Sequence, residues 1–140
     1  ITGKIRIAAL WFVLAISFSC ENPLLFNKCP DCIEYEPTGA IITLRFTPPL
    51  VNIQLEEVRV YSGYLEDGIL LGKYEYVNED WSFQGNLNSR YTVAAVYTRS
   101  GKQITVIDST IPKVKREKIF CDQPCYILYD NKIDLRVKGN

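Results

Sequence analysis

The most reactive side chains in this 140-residue sequence are five cysteines, four of which stand in two short clusters. Cys29 and Cys32 lie in CPDC, and Cys121 and Cys125 lie in CDQPC. That spacing admits three chemistries. Four thiolates can hold a structural zinc ion tetrahedrally. A Cys-x-x-Cys pair at a helix start can act as a thiol-disulfide redox centre. In an exported protein an even number of cysteines reads as disulfides. Residues 33–37 (IEYEP) read as extended and stop at a proline, which does not suit a redox pair opening a helix. Four cysteines allow three connectivities. Bridges between the clusters are favoured, because neither cluster repeats and each carries a proline. Closing a loop of about 90 residues should stabilise by about 4 to 5 kcal/mol in the chain-entropy picture.

The remaining candidates are carboxylates, cations and aromatics. The sequence has no His, which removes Ser-His-Asp triads, Cys-His pairs and His-ligated metals. Carboxylates come in adjacent pairs: Glu56-Glu57, Glu66-Asp67 and Glu79-Asp80. Neighbours on a strand point to opposite faces, so such pairs suit solvated strand ends better than glycosidase chemistry. Lys113, Lys115, Arg116 and Lys118 form a basic run broken by Glu117. It reads as a charged edge strand, with anionic head groups or polysaccharide as its functional alternative. Among the aromatics, Tyr61, Tyr64, Tyr74 and Tyr76 are the candidate binding residues, since exposed tyrosines stack on sugars or anchor protein contacts. Tyr91 and Trp81 read as core. Lys plus Arg equals Asp plus Glu at 16 each. A neutral chain is a poor nucleic-acid binder, because it cannot displace counterions.

The start of the chain reads as an address. Lys4 and Arg6 precede an apolar run over residues 7–18, which ends in Ser19-Cys20. A basic start, about a dozen apolar residues and a small-residue exit describe a secretory signal, too short for a membrane span. No Met occurs in the sequence, so Ile1, Thr2 and Gly3 are not expected to be the natural start. The Ser19-Cys20 exit resembles a bacterial lipoprotein signal of the Bacteroidota type, in which the cysteine is lipidated and becomes the first residue. That resemblance implies a signal peptide over 1–19, a lipid on Cys20, a tether over 20–28 and one domain over 29–140. Each buried acyl CH₂ would contribute about 0.8 kcal/mol to membrane anchoring. Asp108-Ser109-Thr110 is similar to the short O-glycosylation acceptor of such bacteria, with Ser109 or Thr110 as the modified residue.

The elements that must position these residues read as short strands. Residues 40–47 place Ile42, Leu44 and Phe46 on one face and stop at Pro48-Pro49. Strands are expected over 55–61, 69–77 (interrupted at Gly72), 81–85, 90–98 and 103–111, separated by turn residues every 8 to 12 positions. Arg99-Ser100-Gly101-Lys102 reads as a hairpin turn. Further strands are expected over 114–120, 125–129 and 132–137, the last two forming a C-terminal hairpin around Asp130-Asn131.

Residues 33–111 resemble a fibronectin type III or related immunoglobulin-like domain. The resemblance rests on LRFTPP at 44–49 (with Phe46 where that family usually has a core Trp), VRVY at 58–61 and LNSRYTV at 87–93. It implies that Tyr91 forms a tyrosine corner, returning its hydroxyl to upstream backbone. The expected fold class is therefore an all-β, immunoglobulin-like or fibronectin type III-like sandwich. It carries an extra C-terminal β-hairpin and follows an N-terminal signal helix. The expected function is a noncatalytic cell-envelope lipoprotein, with no cofactor or metal, meeting the membrane through its anchor and binding a protein or glycan. A redox protein using Cys29 and Cys32, and a zinc-stapled β domain, are the alternatives.

Overall fold

The computed structural model describes residues 33–75, 77, 79–117 and 125–139. The signal segment 1–19, Cys20, the tether, Cys29, Cys32, Cys121, Tyr76 and Lys118 lie outside the described residues. Nine strands follow in chain order: β1 (Gly39–Arg45), β2 (Ile53–Ser62), β3 (Ile69–Glu75), β4 (Trp81–Asn86), β5 (Tyr91–Arg99), β6 (Lys102–Thr110), β7 (Lys113–Glu117), β8 (Cys125–Tyr129) and β9 (Lys132–Asp134). Among the described residues every regular element is a strand, as the short alternating segments predict.

Two sheets form the body. One has the order β4-β1-β9 and the other β3-β2-β5-β6, while β7 and β8 form a separate ribbon. One core joins both sheets. Ile42 and Leu44 of β1 and Ile133 of β9 pack with Val58 and Val60 of β2 and with Tyr91, Val93, Ala95 and Tyr97 of β5. The arrangement is β-sandwich-like. Its β1 residues alternate, with Ala40, Ile42 and Leu44 buried between more exposed neighbours. β5, the central strand, is buried on both faces from Tyr91 to Tyr97. Small residues suit that position, and Ala94 lies between the flanking side chains of β2 and β6.

Two irregularities re-aim side chains. In β2 the register against β5 shifts between Leu55 and Glu57, leaving Glu56 as an extra residue. The bulge lets Ile53 and Leu55 share the inner side with Val58 and Val60, although their sequence parity differs. In β3 the pairing skips Leu71, between Leu70 opposite Tyr61 and Gly72 opposite Val60. The expected interruption at Gly72 is thus a bulge inside one continuous strand. The β5–β6 hairpin closes through Ser100 and Gly101, both at positive φ (50° and 76°), the geometry that two-residue hairpin turns require.

The C-terminal hairpin is corrected. β8 pairs antiparallel with β7, from Lys113 opposite Tyr129 to Glu117 opposite Cys125. β9 leaves β8 and runs parallel to β1, with Leu44 opposite Ile133 and Arg45 opposite Asp134. Asp130-Asn131 is a bend that passes the chain from the ribbon to the sheet. Thr43 N donates to the Asn131 carbonyl at 2.9 Å, and Asn131 Nδ2 donates to the Ile41 carbonyl at 3.0 Å. The physical reason lies in the alternation after the bend. Ile133 and Leu135 are fully buried between the sheets. Each such burial is worth about 1.5 to 3 kcal/mol, which a solvated hairpin would forgo.

Backbone and side-chain bonds then stitch this segment in place. Leu135 N donates to the Arg45 carbonyl (2.8 Å), Val137 N to Thr47 Oγ1 (2.7 Å) and Asp134 N to Asp108 Oδ2 (2.9 Å). The Tyr97 hydroxyl, inside the core, donates to the Leu135 carbonyl at 2.8 Å and accepts from Thr47 N at 3.2 Å.

Candidate functional site

The four candidate tyrosines do not form one platform. Tyr64 stands in the β2–β3 connection and is 57% exposed. The Arg90 guanidinium lies 4.4 Å above its ring, within cation-π range. Tyr61 is half-buried and pairs with Thr92, so it belongs to the outer side of its sheet, opposite to Val60. Tyr74 pairs with Val58 and therefore faces the other sheet. Its ring packs on Trp81 at 4.5 Å, and the aromatic series continues through Phe83 (6.0 Å) to Tyr91 (5.5 Å, edge-on). Tyr74 thus caps the margin of the core. Gly72 makes room for it, since a Cβ there would sit 2.5 Å from the Tyr74 hydroxyl. Trp81 packs against the core from a half-buried position, and Tyr91 is buried within it, as expected. The Tyr91 hydroxyl accepts the Asn86 amide at 2.7 Å, a return to upstream backbone of the kind the resemblance implies.

The most exposed apolar surface on a regular element was not singled out from the sequence. Ile69 (72% exposed), Leu70 (51%) and Leu71 (52%) lie in a row on β3, close in sequence to Tyr64. β3 is an edge strand; Ile69 and Leu70 pair with Ser62 and Tyr61 and so stand on opposite sides of it, and the bulge leaves Leu71 without a cross-strand partner. The signal was the unbroken ILL triplet, which cannot alternate in and out as the rest of the chain does.

The carboxylates serve separate structural ends. Glu57 accepts a hydrogen bond from Arg59 Nε and pairs with Lys73 Nζ at 2.7 Å, and Lys73 reaches Glu75 at 3.6 Å. Lys73 first and Arg59 second hold the Glu57 carboxyl below its ordinary range. A carboxylate so held does not deliver a proton near neutral pH. Glu57, Arg59 and Glu75 flank a hollow of about 570 Å³ whose lining includes Ala94 and Val96 of β5. Asp80 Oδ1 accepts the Phe46 amide at 3.0 Å, which ties the loop before β4 to the end of β1. Glu66 and Asp67 lie in the turn before β3. Among the described residues no group of three or more His, Cys, Asp or Glu is placed to hold a metal ion.

The basic run is divided by its strand. Lys115 pairs with Glu117 at 2.5 Å, whereas Arg116 points to the other face of β7. In Asp108-Ser109-Thr110 the two hydroxyls differ. Thr110 is buried and donates to the Asp130 carbonyl, while Ser109 is exposed and accepts from Arg90 Nη1 at 3.1 Å.

Cys125 opens β8 and is buried. Next to it, Ile33 and Tyr126 exchange both backbone bonds at 3.0 Å. The chain that follows CPDC therefore lies directly beside the chain that follows CDQPC. Among the described residues no helix is long and apolar enough to cross a membrane. No protein family, curated protein or solved structure matches the chain.

Proposed function

We propose that the chain is a noncatalytic module of the bacterial cell envelope, lipidated on Cys20, which displays an immunoglobulin-like sandwich for binding a protein or glycan. The observation that carries the binding role is the exposed run Ile69, Leu70 and Leu71 on the edge strand β3, a few residues along the chain from the exposed Tyr64. Neighbouring exposed apolar side chains mark interaction sites, whereas scattered single ones do not. The strand order supports the immunoglobulin-like reading. β1, β2, β4, β5 and β6 fall in the sheet positions of strands B, C, E, F and G, with β3 beside β2 as an added C′ strand. The mutual pair of Ile33 and Tyr126 supports disulfides between the Cys29/Cys32 and Cys121/Cys125 clusters, because it brings the two cysteine-bearing segments together.

Intact mass of the protein purified from membranes tests anchor and sulfur chemistry together. The expected species starts at Cys20, carries acyl-glycerol, and is four hydrogens lighter than the reduced chain. A chain without lipid refutes the anchor. A chain that keeps zinc under native conditions and loses it on denaturation refutes the disulfides. For the binding role, Leu70→Asp on intact cells should abolish surface cross-links formed by the wild-type chain while leaving its thermal midpoint unchanged. Identical cross-links in both proteins would remove β3 from the interface.

A further inference from the structure

Arg90, Lys113 and Lys132 come from three different parts of the chain. Arg90 ends the β4–β5 connection, Lys113 opens β7 and Lys132 opens β9. The fold brings all three to the wall of one open hollow of about 660 Å³, together with Ser109, Thr110 and Asn131. Asp130 is the single acid in that wall, so its formal charge is +2. Elsewhere Arg59 and Lys73 pair with Glu57, Lys115 with Glu117 and Arg136 with Asp134, whereas several other cations stand unpaired and singly; what distinguishes this wall is that three unpaired cations line one hollow. Among the described residues Arg90, Lys113 and Lys132 form no ion pair.

Arg90 is also pre-positioned. The Tyr64 ring supports its guanidinium from one side, and Nη1 donates to Ser109 Oγ at 3.1 Å. These contacts fix the side chain but use only one of its five N–H donors. The neighbouring backbone is equally fixed. Thr110 Oγ1 donates to the Asp130 carbonyl, and Asn131 is bonded to β1 through both its carbonyl and its amide. A pre-positioned arginine with two unpaired lysines around a polar hollow suits a multiply charged oxyanion.

We propose that this hollow is a binding site for a phosphate group, gripped by Arg90 from one side and by Lys113 and Lys132 from the other, with the Ser109 hydroxyl as an additional donor. A phosphate fits better than a lone carboxylate, because its several acceptor oxygens can engage three cations at once. The group can come from a phospholipid head or from a soluble phosphorylated molecule. The site shares Tyr64 with the surface proposed around β3 but none of Ile69, Leu70 and Leu71, and it does not depend on the lipid anchor.

The test is a titration of isotopically labelled full chain with inorganic phosphate, followed by backbone and side-chain NMR. Shifts should concentrate at Arg90, Ser109, Lys113 and Lys132. Lys113→Gln should weaken binding about tenfold, and R90Q/K113Q/K132Q at least a hundredfold. Lys113 is exposed and makes no side-chain bond, so Lys113→Gln keeps the test valid should the triple variant fail to fold. A second arm floats the full chain carrying Cys20→Ser with vesicles of phosphatidylcholine, with or without 30% phosphatidylglycerol (about one charged head in three). Binding that requires phosphatidylglycerol and is lost in Lys113→Gln identifies a lipid head group as the source. Phosphate binding without vesicle preference identifies a soluble ligand. Shifts spread over Arg59 and Arg136 as well, or no response to phosphate or vesicles, would overturn the proposal.

Discussion

Replacing Tyr97 with Phe removes a single oxygen from the centre of the molecule. Tyr97 is 0% exposed, and so is Leu135, whose carbonyl receives the hydroxyl proton. The same oxygen accepts the Thr47 amide at 3.2 Å. Phe keeps the ring and its packing, so the change isolates two hydrogen bonds. The Leu135 carbonyl is then left unpaired in a site closed to water, which costs about 1 to 3 kcal/mol. Thr47 is only half-buried and its amide can recover a water molecule, so its loss adds a smaller amount. The sum is about 2 to 3 kcal/mol, or a fall in midpoint of about 10 to 20 °C at the usual conversion for a domain near 100 residues. Tyr91→Phe is the internal comparison. Its hydroxyl holds one amide, that of the exposed Asn86, so its loss should cost about 1 kcal/mol. Urea unfolding of both variants measures the difference, and amide exchange at Thr47 reports the broken bond directly. A loss below about 0.5 kcal/mol for Tyr97→Phe, or equal losses for both, would refute the idea that this hydroxyl fastens the last strand to the core.

Three further outcomes can be checked with the same assay. Leu135→Ala should destabilise by about 2 to 5 kcal/mol, because it empties a fully buried position in the seam between the sheets, and it should raise exchange at Thr43. Gly85→Ala should cost about 1 to 3 kcal/mol, since the new methyl would sit 2.7 Å from Ile42 Cδ1 and 2.8 Å from the Tyr91 ring. Stability should fall at both ends of the pH scale. Arg136 holds Asp134, and Lys73 and Arg59 hold Glu57, below the ordinary carboxylate range. The folded state therefore binds fewer protons than the unfolded chain around pH 4, and this contribution, present above about pH 4, is lost as pH falls. Burial pushes the Tyr97 phenol up, so the folded state retains a proton that the unfolded chain releases near pH 10. Stability is therefore lost as pH rises past that value, and Tyr97→Phe should flatten the alkaline limb only.

Strand positions were legible in the sequence because alternation and turn residues are local signals. All nine strands stand where the alternation places them, within a few residues at each end. Partners were less legible. Asp130-Asn131 has the composition of a hairpin turn, and only the burial of Ile133 and Leu135 against β1 shows why the chain bends there instead. Residue parity also failed locally. The bulges at Glu56 and Leu71 each move the following side chains to the other face, and neither is marked by a glycine at the extra residue. The tyrosines scattered for the same reason. Tyr61 and Tyr74 are close in the sheet but face opposite sides of it. The cationic hollow was invisible in the basic run at 113–118, because only Lys113 from that run meets Arg90 and Lys132, which are distant in sequence.

The parallel pairing of β9 with β1 has a consequence in time. Thr43 meets Lys132 only after about 90 intervening residues have appeared. At roughly 5 to 20 residues per second, the free edge of β1 waits on the order of 5 to 20 s during synthesis. Throughout that interval Ile42 and Leu44 lack the part of their cover that Ile133 and Leu135 supply, and an unpaired strand edge faces any neighbouring chain. The finished protein closes this seam, so the risk of aggregation belongs to the nascent chain. Yield should therefore respond to synthesis rate and temperature more steeply than the stability of the folded domain would suggest.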